Sequence, residues 1–189
     1  MDTVLVAGIG NVLMGDDAIG PYCVRHLRAR FQFPPNVEVV DLGAPGLDLS
    51  LHVAAAEVVI FVDSLRSVPP GEVRTFSQEE ILSAGYDPRL DTHAPALEEA
   101  IAIAGLSGHA PRQVRLVGLG GDSFDLGRPL SEAARRGMGA LENALLAELA
   151  GIGIAVLQRA EPSNADIWWE HQPAREMIPT WVRISVQSE

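Results

Sequence analysis

Apolar residues fall along this chain in short runs, separated by longer stretches in which they recur at helical spacing. Four runs, Val4 to Ala7, Val37 to Val40, Val58 to Val62 and Val114 to Val117, are rich in β-branched and apolar residues, with Glu38 and Arg115 the only charges among them. Runs of this kind mark mostly buried strands of a parallel sheet. Between the first two, Ile19, Tyr22, Cys23, Leu27 and Phe31 follow a helical period, and Pro21 is tolerated because it falls in the first turn. The spacing predicts a β-α-β unit. Leu47 to Ala56 predicts a shorter helix, and Pro95 to Ala104 and Leu130 to Leu149 two more, the last with Ala134, Met138, Leu141 and Leu145 on one face. Glu72 to Phe76 is a fifth strand, reached from the third through only the Ser64 to Gly71 loop. A parallel crossover takes a dozen or so residues or more, so this strand runs antiparallel if it neighbours the third. The expected fold is α/β, a three-layer α/β/α domain on a mixed, mostly parallel five-stranded sheet.

The 189 residues, 47% of them hydrophobic, suffice for one full core and are too few for two comfortable ones. Past Leu157 the periodicity dissolves into Ala160-Glu161-Pro162-Ser163-Asn164, which reads as a linker. The expected division is therefore a domain over 1–157 and a tail over 158–189. All three tryptophans, Trp168, Trp169 and Trp181, lie in that tail. Either they fasten it to the domain or they anchor a partner. Trp181 to Val186 alternates apolar and polar, as an added edge strand would.

The formal net charge of -11 disfavours nucleic acid and anionic membrane surfaces, which would be repelled at long range. No window reaches the roughly 18 uninterrupted apolar residues of a membrane helix, and the start lacks the features of a signal peptide. No membrane insertion and a cytoplasmic location are expected. The single cysteine, Cys23, excludes a disulfide framework within the chain and reads as an inert buried thiol.

Candidate chemistry gathers where strands end. Directly after the first run comes Gly8-Ile9-Gly10-Asn11-Val12-Leu13-Met14-Gly15-Asp16-Asp17-Ala18-Ile19-Gly20, a strand breaking into a tight loop with two acids where a helix begins. Open α/β sheets bind ligands at that edge. Asp16 reads as the helix cap, leaving Asp17 either as a first-turn acid favoured by the helix dipole or as a site residue. Asp63 closes the third run and is costly to bury without a cation or donors facing it. His93 precedes the Pro95 helix and is by itself as readily a surface or packing residue. Two carboxylates and one imidazole form an O, O, N set suited to zinc, nickel, manganese or iron. Gly43-Ala44-Pro45-Gly46 is either a plain turn or a substrate-facing loop, and Gly118 to Gly121 with Asp122 stands at the same edge. Gly8-Ile9-Gly10 begins like a dinucleotide fingerprint, but Leu13 holds the third glycine position, so close helix-strand contact of that kind is not expected. P-loop, His-Glu-x-x-His and Gly-x-Ser-x-Gly motifs are absent.

Together these residues resemble the hydrogenase maturation endopeptidases, which trim the carboxyl-terminal extension from the large subunit of nickel-iron hydrogenases. The opening glycine and acid motif, the glycine loop at 43–46, Val62-Asp63, His93 before a helix and Leu116-Val117-Gly118 match in order, over roughly residues 3 to 150. The resemblance implies a metal-dependent endopeptidase, catalogued with the aspartic type, whose partner is a hydrogenase large-subunit precursor. It implies Asp17, Asp63 and His93 as metal-binding and catalytic residues, Gly43 and Gly46 as a substrate loop, and nickel, carried by the substrate, as the metal, with another divalent ion as a variant. The family often has glutamate where this chain has Asp17. A different-class alternative is a non-proteolytic, metal-sensing chaperone of the same subunit.

Overall fold

A computed structural model describes residues 2–46, 48–83 and 93–170. The four runs are strands, β1 (Val4–Ile9), β3 (Val37–Gly43), β4 (Val58–Leu65) and β6 (Gln113–Gly120), with a two-residue β2 (Phe31–Gln32) after the first helix. The fifth expected strand is β5 (Val73–Ser77), and a short β7 (Leu157–Gln158) follows the last helix. The helices are α1 (Ile19–Arg30), α2 (Leu49–Ala54), α3 (Gln78–Leu82), α4 (Ala94–Leu106) and α5 (Glu132–Gly151). The sheet order is β3-β1-β4-β6-β5. β1, β3, β4 and β6 run parallel, and β5 runs antiparallel, paired with β6 rather than with β4. The fifth strand does not neighbour the third, the condition on which its expected direction rests; it reaches past that strand to the far edge and runs antiparallel there, which makes the sheet mixed as expected.

Helices cover both faces. Ile19, Val24 and Leu27 of α1 and Leu141, Leu145 and Leu149 of α5 close one core over Val6, Ile60 and Val117. Leu49 and Val53 of α2, Ile81 of α3 and Leu97 and Ile101 of α4 close the other over Ala7, Phe61 and Leu116. Cys23 is fully buried in the first, where desolvation pushes its thiol well above the usual range and makes it inert. Among the described residues no helix is long and apolar enough to cross a membrane.

Close helix-strand approach does occur, at a position other than the one Leu13 was expected to block. A Cβ on Gly20, in the first turn of α1, would lie 2.3 Å from the carbonyl oxygens of both Ile9 and Val62. No rotamer relieves a clash with backbone, so α1 can seat against β1 and β4 only without a side chain there. Gly20→Ala is expected to cost about 2–3 kcal/mol, read as a lowered denaturation midpoint. An unchanged midpoint would mean that α1 shifts freely.

The tail is docked as far as residue 170. β7 pairs with β2, the Ser163 N–H donates to Ala29 O at 3.1 Å, and Arg25 donates to the carbonyl oxygen of Asp166 at 2.7 Å. Trp169 is buried beneath the Arg25 guanidinium and Trp168 is 44% exposed. Trp181 and the alternating segment up to Val186 lie outside the described residues.

Candidate active site

At the carboxyl edge of the sheet, β1 ends at Ile9 and the chain passes through Gly10 into a 3-10 turn, Gly15–Ala18, that leads straight into α1. Gly10 has φ +139°, and a Cβ there would sit 1.8 Å from Asp17 O. Glycine therefore lets the loop fold back tightly enough to bring Asp17 over the strand end. Asp63 lies within β4, two residues before its end, paired with Gly118 of β6. His93 is the N-cap residue of α4. The three side chains, two at strand ends and one before a helix, converge, with one potential ligand atom from each lying within 4.8 Å of the others.

Their contacts are specific. His93 Nδ1 stands 3.2 and 3.1 Å from the two carboxylate oxygens of Asp63. With the proton on Nδ1, the ring donates to Asp63 and turns the Nε2 lone pair toward Asp17 Oδ2, 4.0 Å away. That separation is too long for a hydrogen bond. It suits two ligands of a common ion, because atoms each about 2.0–2.2 Å from a metal are at most about 4.4 Å apart. Tetrahedral ligands at that radius are only about 3.4 Å apart, so the triad would close by about an ångström around an ion. Two buried carboxylates held together with one imidazole are the donor set a divalent cation requires.

Two residues the sequence reading passed over hold this arrangement. The Asn11 N–H donates to Asp17 Oδ2 at 2.9 Å. Ser64 donates its N–H to Asp63 Oδ1 at 2.7 Å and its hydroxyl to Asp17 Oδ1 at 3.3 Å, tying the two acids together. Only the adjacency of Ser64 to Asp63 signals its role in the sequence. Asp63 is 1% exposed, and burial is the main cause that raises its carboxyl from near 4 to about 6; His93 opposes this shift and Asp17 adds to it.

Asp16 does not cap α1. Its buried carboxylate reaches across the edge and accepts the N–H groups of Asp122 at 2.7 Å, Ser123 at 3.2 Å and Ser131 at 2.6 Å. It thereby pins the loop after β6 and the start of α5 beside the site. Gly43, expected in a substrate loop, accepts the Gly10 N–H at 2.8 Å and borders a recess with Gly10 and Asn11. Gly46 faces away from that recess, into a hollow between α2 and α4 with Leu49 and Ala96.

A mostly parallel α/β sheet thus gathers two buried carboxylates and an imidazole at its carboxyl edge, the edge at which open α/β sheets place their sites. A profile of the hydrogenase maturation protease family matches residues 21–148, and the chain belongs to that family. The matched span contains Asp63 and His93 and begins just after Asp17. The chain is 36% identical over 116 residues to the hydrogenase expression/formation protein HoxM of Cupriavidus necator, covering 61% of this chain and 57% of that protein. It is 30% identical over 158 residues to HupM of Azotobacter chroococcum, covering 82% and 76%. In structure it is similar to the hydrogenase maturating endopeptidase HybD of E. coli, with a TM-score of 0.76 and 27% identity over 83% of this chain and 98% of that one.

Proposed function

We propose that this protein is an endopeptidase that removes the carboxyl-terminal extension of a nickel-loaded [NiFe] hydrogenase large-subunit precursor. The convergence of Asp17, Asp63 and His93 at the carboxyl edge, in a chain of this family, carries the reading. No serine, cysteine or threonine with an adjacent base is part of the triad, so the site suits cleavage assisted by a cation. The nickel is then part of the substrate, and held at the triad it supplies the positive charge that polarises a carbonyl or acidifies water. Asp17 and Asp63, kept in register by Ser64, and a ring nitrogen of His93 would hold it. The same triad accommodates another divalent ion. The test is cleavage of precursor loaded with nickel beside precursor kept nickel-free: the loaded form is expected to be shortened, and equal cleavage of both would remove nickel from the reaction.

A binding measurement follows from Asp63. Its folded-state pKa lies above its unfolded value, so the stability it confers is complete below about pH 4 and is lost as pH rises through about 6. An ion that displaces the Asp63 proton therefore binds better at pH 7.5 than at pH 5. Zinc is expected to raise the thermal midpoint by about 2–4 °C more at the higher pH, and the difference should vanish in Asp63→Asn. A shift independent of pH would place the ion elsewhere.

A further inference from the structure

The edge of the sheet next to the site is open. Val4 donates to Asn36 O, which fixes the phase of the parallel pairing between β1 and β3. Glu38 and Val40 then spend their backbone groups on β1, while Val39 and Asp41 present theirs outward. Among the described residues, no backbone group from outside the sheet bonds to those of Val39 or Asp41. Edge strands are usually shielded by charge, bulges or covering segments, and this one faces a cleft instead.

The chain beyond α5 forms the cleft's far wall. Arg159 Nε donates to Arg28 O and Phe31 O at 3.1 and 3.0 Å, and the Arg25 guanidinium clasps Asp166 and lies over Trp169. The segment is therefore held on α1, alongside β3 but not against it. A cleft of about 580 Å³ remains between them, with Val39, Asp41, Arg28 and Arg159 on its walls. At Arg25 and Asp41 it continues into a recess of about 260 Å³ bounded by Gly10, Asn11, Gly43, Ala44, Trp168 and Trp169. Asn11 is the residue whose N–H holds Asp17. The two hollows meet at the Arg25–Asp41 pair, and the second ends at Asn11, one hydrogen bond from Asp17.

We infer that this groove docks the substrate polypeptide by strand addition: an extended segment of the precursor, bearing an acidic side chain, pairs with the outward backbone of Val39 and Asp41. The inference rests on the reading of the protein as a precursor-processing endopeptidase and adds where the precursor is held. An open strand edge selects an extended chain, since its main-chain groups supply the hydrogen bonds it lacks. The acidic partner follows from charge. Arg25 is shared between Asp41 and Asp166, and among the described residues no carboxylate pairs with Arg28 or Arg159, so the cleft walls carry one positive charge in excess. The half-exposed Trp168 gives the segment an aromatic wall near the triad.

The experiment combines amide hydrogen exchange of the wild-type protein mixed with purified precursor and the cleavage kinetics of two variants. Val39→Pro removes an outward N–H while leaving the ladder to β1, and Arg28→Glu reverses an exposed charge on the cleft wall. Exchange at Val39 and Asp41 is expected to slow at least about tenfold with precursor present. KM is expected to rise about tenfold in each variant with kcat within about threefold of the wild type. If Val39→Pro fails to fold, Arg28→Glu and the exchange measurement decide. Unaltered exchange at both amides, or unchanged KM in the folded variants, overturns the docking groove. Protected amides with no cleavage by the wild type would instead support the groove and overturn the endopeptidase reading alone.

Discussion

Asp63→Asn and Asp17→Asn should each give a folded protein that no longer shortens the precursor. Groups that merely orient metal ligands change affinity or activity by about 10–100-fold when replaced, so losing a carboxylate ligand itself should cost more than about 100-fold. The fold has no comparable stake in these charges. Asparagine retains an acceptor oxygen for the Ser64 N–H at position 63 and for the Asn11 N–H at position 17. It also removes one of two neighbouring buried negative charges; burial is the main cause of the raised Asp63 carboxyl, and Asp17 adds to it. The thermal midpoint should therefore stay level or rise. Near-normal cleavage by both variants, each shown folded by circular dichroism, would dissociate the triad from the reaction.

Asp16→Ala should have the opposite profile, with a large loss of stability. Its carboxylate is fully buried and accepts three backbone N–H groups from residues more than a hundred positions away. Hydrogen bonds to a charged group contribute about 1.5–3 kcal/mol each, and their removal here leaves three donors without partners. One of them belongs to Ser131, whose side chain caps α5 by accepting the Ala134 N–H. The expected loss is about 4–6 kcal/mol, a large share of a typical domain's 5–15 or so. Chemical denaturation measures it. A loss under about 1 kcal/mol would show that the loop after β6 is held by other contacts.

The contrast between these adjacent acids marks what the sequence discloses. Strands β1, β3, β4 and β6 are legible because buried parallel strands cannot alternate, and α1 and α5 because each buries one face. The ends of β4 are less so: the strand continues through polar Asp63 and Ser64, which a hydropathy pattern excludes. The short β2, β7 and α3 fall below the length at which periodicity speaks. The neighbour of β5 is a tertiary choice that loop length alone does not settle. Asp16 looks like a cap because caps are local, whereas its real partners are distant in the chain. Asn11 acts through its backbone N–H, and such a donor leaves no trace in residue type. Asp17 and Asp63 are visible as acids at strand ends. His93 is the weakest of the three, joined to them by the family resemblance and by a place before a helix at the same edge, since a lone histidine there has no signature of its own.

The most direct test is the intact mass of a nickel-loaded hydrogenase large-subunit precursor before and after incubation with the purified protein. The mass should fall by one carboxyl-terminal extension, the released peptide should be recovered, and His93→Ala should leave the precursor at full length. A precursor that binds the wild-type protein yet keeps its full mass would contradict the account and make the chain a metal-sensing chaperone.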